Sequence, residues 1–319
     1  MKIKFTDSFF AEKWTIDILK RNFGEVEISD DPDFLFCSFD YKADKYNYDC
    51  ARIFLTGENV VPDFNLVDYA IGFHYIDFED RYIRVPLYCF YEEDYYIALR
   101  KHIEYTPDKE KKFCNFIYSN GTMAMKERDD FFYLLSNYRK VDSGGRHLNN
   151  IGVPVDDKRD FQKQYKFSIA FENSSSNGYT TEKILQAFSA GTIPIYYGNP
   201  RIAEDFNTKA FINCHEYNSF DEIVERIKEI DNSQELYDSM MKEPIFTDIE
   251  QRRNPLKGYE KYICDICRQD PKEAIRRANV GYGLRLQNDA KAFSGYNRVM
   301  NGKSLKSKIL RRILKNIIR

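Results

Sequence analysis

The feature that most constrains this chain is alternation: short apolar runs, each closing in a polar or glycine-bearing loop, are separated by segments with helical spacing. Runs this short read as strands, and the helical stretches between them supply the crossovers that parallel pairing demands. The expected class is therefore α/β. Strands are predicted at 33–39, 52–56 and 69–73, and a polar, charged stretch at 106–112 reads as a linker. A second series follows: a strand over 113–119, the turn Asn120-Gly121, a helix from near Thr122 to about Ser136, and a strand over 166–171. Next come a helix over 182–190 with Thr181 as N-cap and Gly191 as its left-handed stop, strands over 192–196 and 210–213, and a helix over 220–230. A length of 319 residues suits two cores better than one. The expected division is 1–105, 106–260 and a helical C-terminal region over 261–319.

Charge narrows the function classes. The net charge of −2 hides a tail, residues 303–319, with seven Lys/Arg and no acid, so the remaining body is distinctly acidic. That balance argues against a nucleic-acid binder, whose affinity rests on clustered cations. Within the tail, Leu305, Ile309, Leu310, Ile313, Leu314, Ile317 and Ile318 fall at steps of three and four, predicting a basic amphipathic helix. An anionic membrane surface would attract it, and a partner-binding or solvated helix is the alternative. The opening Met1-Lys2-Ile3-Lys4-Phe5-Thr6-Asp7 has no apolar signal core, so a cytoplasmic protein is expected, peripheral on the inner face of the membrane if the tail binds there.

The seven cysteines are an odd number scattered through apolar runs, which predicts reduced thiols rather than a disulfide framework. Cys264-Asp265-Ile266-Cys267 has C-x-x-C spacing with no second pair to complete a zinc site, so no metal site is assigned. His74, His102, His147 and His215 show no ligand spacing.

Chemistry concentrates where a predicted strand gives way to a helix, in Phe171-Glu172-Asn173-Ser174 through Tyr179-Thr180-Thr181-Glu182-Lys183. A lysine in the first helical turn opposes the helix dipole, so Lys183 is explained by a bound anion such as a diphosphate or by a side chain turned to solvent. Glu182 reads equally as a dipole-favoured acid or as an acceptor for ribose hydroxyls. Glu58, in Thr56-Gly57-Glu58-Asn59 at the carboxyl end of a predicted strand, stands where α/β folds place ligands.

This segment, with Ala190-Gly191-Thr192-Ile193-Pro194-Ile195-Tyr196-Tyr197-Gly198, Asp205-Phe206-Asn207 and Phe211-Ile212-Asn213 after it, resembles the α-1,3/4-fucosyltransferases, glycosyltransferase family 10. Thr56-Gly57-Glu58-Asn59, Pro62-Asp63-Phe64-Asn65 and Asp68-Tyr69-Ala70-Ile71-Gly72-Phe73 are similar to the first domain of its bacterial members. The resemblance implies a GT-B-like fold, two Rossmann-type domains facing a cleft with a C-terminal helical tail. It implies inverting transfer of fucose from GDP-fucose to a glycan hydroxyl without a metal or other cofactor, the acceptor being an oligosaccharide or glycolipid. Glu58 would be the general base, and Arg128, Asn173, Tyr179, Glu182 and Lys183 the donor contacts, with Arg128 and Lys183 on the diphosphate. A non-catalytic glycan-binding or membrane-peripheral module, or a same-fold transferase using another nucleotide sugar, are the competing readings.

Overall fold

The computed structural model describes residues 1–7, 9–39, 44–107, 110–248, 254–301, 304 and 306–311. The chain divides into two compact units, Met1–Gly72 with Ile76–Val85 and Lys257–Arg319, and Phe73–Tyr75 with Pro86–Leu256.

In the first unit the strands are β1 (Lys2–Phe5), β2 (Glu27–Ile28), β3 (Phe34–Cys37), β4 (Ala51–Leu55), β5 (Tyr69–Gly72) and β6 (Tyr82–Arg84), with helix α1 (Glu12–Phe23) after β1. They form a parallel sheet in the order β2-β1-β3-β4-β5-β6. Phe34-Leu35-Phe36-Cys37 and Ala51-Arg52-Ile53-Phe54-Leu55 are buried throughout, as strands covered on both faces must be. Asp68, fully buried just before β5, accepts the backbone N–H groups of Arg52 (2.7 Å), Arg276 and Arg277 (2.8 Å each) as well as the Arg277 guanidinium. The chain beyond residue 256 thus returns to complete this unit.

The second unit holds α2 (Glu92–Glu104), β7 (Lys112–Phe116), α3 (Glu127–Tyr138), β8 (Val141–Ser143), α4 (Lys158–Gln162), β9 (Tyr165–Phe171), α5 (Glu182–Ser189), β10 (Ile193–Tyr197), β11 (Ile212–Asn213), α6 (Phe220–Asn232) and α7 (Gln234–Met241). Its parallel sheet runs β11-β10-β9-β7-β8. Phe167, Ile169 and Phe171 alternate along β9 into the same core as Ile193 and Ile195 of β10 and Phe131 and Leu135 of α3. Gly191, at φ +65°, ends α5 as expected. Returning to the first unit, α8 (Lys257–Cys267) meets α1 through the hydroxyls of Tyr259 and Thr15, 2.5 Å apart, and α9 (Gly281–Asn301) follows.

By compactness the chain passes from one unit to the other at Val85–Pro86, since α2 packs on α5: Asp94 accepts from Ser189 Oγ at 2.6 Å and Lys101 lies over the Phe188 ring. Residues after 256 group with the first sheet. One expectation changes. The helix expected from Thr122 starts at Glu127, because Asn120 Oδ1 takes the Thr122 and Met123 N–H groups in a turn. Of the predicted amphipathic tail, residues 306–311 are helical with Ile309 and Leu310 exposed. Leu305, Ile313, Leu314, Ile317 and Ile318 lie outside the described residues.

Lys101 is buried on α2 with its ammonium 3.4 Å from the Met240 carbonyl and, among the described residues, no carboxylate in salt-bridge range. Burial pushes its pKa down to about 7, only partly opposed by Glu243. The folded pKa lies below the unfolded one, so the unfolded chain binds more protons between the two and stability rises with pH from about 7 to ~10.4. Lys101→Met should therefore raise the unfolding midpoint at pH 7 by roughly 2–5 °C and flatten that slope. A thermal melt series over this pH range checks it; a lower midpoint contradicts the reading.

Candidate functional site

In a doubly wound sheet, ligands settle beyond the carboxyl ends of the strands where successive connections diverge. The second sheet, traced in chain order, places its first strand beside the second and then the third, so the divergence falls between β7 and β9. Arg128, Asn173, Glu182 and Lys183 all stand on the loops and helix starts that leave those two strands.

From the β7 side, the Tyr118 hydroxyl accepts the Phe171 N–H at 2.7 Å and lies 3.0 Å from the Ile169 and Phe171 carbonyls, tying the two strand ends together. Arg128, in the first turn of α3, is 1% exposed with its guanidinium 4.3 Å from the Tyr118 ring centre. Its Nη2 donates to the Asn120 carbonyl, its Nη1 lies 3.4 Å from Asn173 Oδ1, and its Nε has no hydrogen-bond partner among the described residues, with Asp129 3.6 Å away. The Met125 N–H donates to the Asn173 carbonyl at 2.8 Å, so Arg128 and Asn173 are joined through backbone as well. Asp129 is itself held by His147 Nε2 at 2.8 Å.

From the β9 side, Glu172 is fully buried. It accepts the Thr181 N–H (2.7 Å) and hydroxyl (2.6 Å) and the Lys183 ammonium (3.1 Å). Thr181 occupies the N-cap position of α5, but its hydroxyl makes no capping bond, being taken up by Glu172 and Lys183. Lys183 also lies 3.5 Å from Glu182. Burial alone would depress the lysine, yet Glu172 and Glu182 outweigh it and hold it firmly protonated. Burial raises the Glu172 pKa against the pull of Lys183, whereas Glu182, despite burial, is lowered by Lys183 and Lys158. Sequence reasoning gave Lys183 a bound anion or solvent; the structure adds two carboxylates, which already offset its place at a helix start.

Tyr179 is 2% exposed and packs edge-on against Phe73 at 4.9 Å between centroids, close enough to Lys183 to favour its charge. Glu58, in the first unit, is exposed just past the carboxyl end of β4. Its backbone N–H donates to Thr56 Oγ1 (3.0 Å) and its carbonyl accepts from Val60 (2.7 Å), so the turn uses its backbone and leaves the carboxylate without an ion pair among the described residues. Cys264 and Cys267 are buried on α8, and burial raises both thiols. The described residues contain no group of three or more His, Cys, Asp or Glu suited to a metal ion. Sequence reasoning assigned no role to Glu172 or Tyr118; an acid closing an otherwise apolar strand was the available signal.

Two parallel sheets with helical crossovers, one carrying basic and acidic side chains at its switch point, define an α/β protein of GT-B-like architecture. Residues 3–91 match the α-(1,3)-fucosyltransferase FucT N-terminal domain, and residues 106–280 match the glycosyltransferase family 10 (fucosyltransferase) C-terminal domain. The chain belongs to glycosyltransferase family 10. It is 37% identical over 225 residues to the α-(1,3)-fucosyltransferase FucT of Helicobacter pylori, a match covering 60% of this chain and 46% of that one. The chain thus spans about half the length, or less, of relatives such as this one. Among solved structures, an α1,3-fucosyltransferase superposes with a TM-score of 0.73 at 28% identity over 88% of this chain and 93% of the other. A second, an α1,3-fucosyltransferase with GDP-fucose, gives 0.63 at 28% identity over 96% and 92%. Among the described residues no helix is long and apolar enough to cross a membrane.

Proposed function

We propose that the protein transfers L-fucose from GDP-fucose to a glycan hydroxyl with inversion, the 3-OH of GlcNAc or Glc in a lactosamine-type acceptor being the expected target. The observation that carries the reading is the meeting of Arg128, Asn173 and the Lys183 cluster at the switch point of the second sheet, in a chain similar to a fucosyltransferase solved with GDP-fucose. In the step itself the acceptor oxygen bonds to the sugar C1 as the bond from C1 to the β-phosphate oxygen breaks. The hydroxyl proton passes to the Glu58 carboxylate, and GDP leaves with its growing negative charge met by Lys183 and Arg128. Asn173 and Tyr179 contact the donor and Glu182 accepts from the ribose. Fixed cations do here what a divalent ion does elsewhere, so turnover needs no metal. The exposed Ile309 and Leu310, among Lys306, Lys308 and Arg311, support peripheral docking on an anionic membrane face.

The test is incubation with GDP-fucose and N-acetyllactosamine or lactose, with and without a chelator, followed by mass spectrometry. A fucosylated product unaffected by the chelator is expected. Folded protein that neither transfers nor hydrolyses the donor across a broad acceptor panel overturns the proposal.

A further inference from the structure

Glu172 stands in a position that burial alone would give to an apolar residue. It follows Phe171 at the end of β9, is 0% exposed, and its backbone N–H continues the strand by donating to the Tyr197 carbonyl at 2.8 Å. A buried ion pair rarely stabilises a fold more than well-packed apolar groups of the same volume, so a carboxylate here calls for another explanation.

The geometry supplies one. Lysine carries a compact charge on a flexible four-carbon stem and has no orientation of its own. Here the Lys183 ammonium gives one hydrogen to Glu172 Oε2 (3.1 Å) and another to Thr181 Oγ1 (2.9 Å), while the Thr181 hydroxyl donates onward to the same Glu172 oxygen (2.6 Å). The three groups close a ring in which each donor direction is fixed by the next. The other Glu172 oxygen takes the Thr181 N–H, so the acid also holds the residue that begins α5. Gly198 closes the opposite side. A Cβ there would fall 2.4 Å from Glu172 Cγ and 2.8 Å from its Cβ, so the acid fits only because that position has no side chain. The ionisable groups facing Glu172 are Lys183 and Glu182 on α5, Lys158 on α4, Tyr118 beyond β7 and Tyr196 on β10.

We infer that Glu172 is a positioning residue for donor chemistry, aiming the Lys183 ammonium at the leaving diphosphate through the ring with Thr181. The inference rests on the donor reading above. Glu172 touches no reacting atom, so its whole effect on turnover passes through Lys183.

A double-mutant cycle tests this: Glu172→Gln, Lys183→Met and the double variant, with GDP-fucose turnover measured in single-turnover mode with enzyme in excess so that slow variants are resolved. Thermal melts accompany each protein. Glu172→Gln should lower the rate about ten- to a hundredfold in the parent, the loss for one hydrogen bond to a charged group. In the Lys183→Met background it should cost less than about twofold, because the group it acts through is gone. Equal losses in both backgrounds, or none in the parent, overturn the inference. If Glu172→Gln fails to fold, Thr181→Val breaks the same ring and should show a smaller Lys183-dependent loss; independence from Lys183 overturns the inference there too. Parent protein that neither binds GDP nor consumes GDP-fucose fails the donor reading instead, a separate result.

Discussion

Changing Glu58 to glutamine should lower kcat by about two to four orders of magnitude, the usual worth of a general base, while GDP affinity stays within about twofold. The expectation follows from how the turn is built. Thr56 Oγ1 holds the Glu58 N–H and the Glu58 carbonyl holds Val60, so the loop after β4 closes through backbone and through Thr56. An amide of the same shape leaves those bonds untouched. What disappears is the ability to take a proton from an attacking hydroxyl. Steady-state kinetics paired with GDP titration by calorimetry separates the terms. Retained kcat, or a parallel loss of GDP binding, would rule out Glu58 as the base and make it a structural or donor-binding residue.

A second large effect is expected on stability. Asp68→Ala should destabilise the first unit by about 3–5 kcal/mol, because it strands the buried Arg277 guanidinium and leaves three backbone N–H groups without their acceptor. Arg277 keeps bonds to the Cys50 carbonyl (3.1 Å) and Gln287 (3.1 Å), which hold the side chain but do not neutralise it. Adding Arg277→Met to Asp68→Ala should recover part of the loss, since removing both charges costs less than removing one. Denaturant unfolding of the three proteins measures this. A loss below about 1 kcal/mol for Asp68→Ala would show that the cluster is solvated enough to dispense with its acid.

The alternation of apolar runs and helical segments was enough to predict two parallel sheets, and β4, β5, β9 and β10 fall within two residues of their expected bounds. Strand ends mark ligand sites in this class, and the candidates Glu58 and Lys183 do stand beyond the strands expected to precede them. Less legible were features that depend on partners distant in sequence. Lys101 looks like a surface lysine beside a linker until Phe188 and Met240 enclose it. Glu172 looks like turn chemistry until Lys183, eleven residues on, folds back onto it. The late start of α3 was hidden for a local reason: Asn120 competes for the very N–H groups that a helix from Thr122 would have left open.

Asp68 also has a consequence for anyone recombining these proteins. It ties residues 276 and 277 to the loop before β5, and α8 packs on α1, so the polypeptide of the first unit is interrupted by nearly all of the second. Apart from Phe73–Tyr75, the second unit is an insertion with its two ends at Pro86 and Leu256. Exchanging the second unit between relatives therefore requires two crossovers, near 85/86 and 256/257. A single-crossover chimera joined at either point alone would graft one parent's α8 and Arg277 onto the other parent's α1 and Asp68, putting the mismatch in the core of the unit that was meant to stay intact.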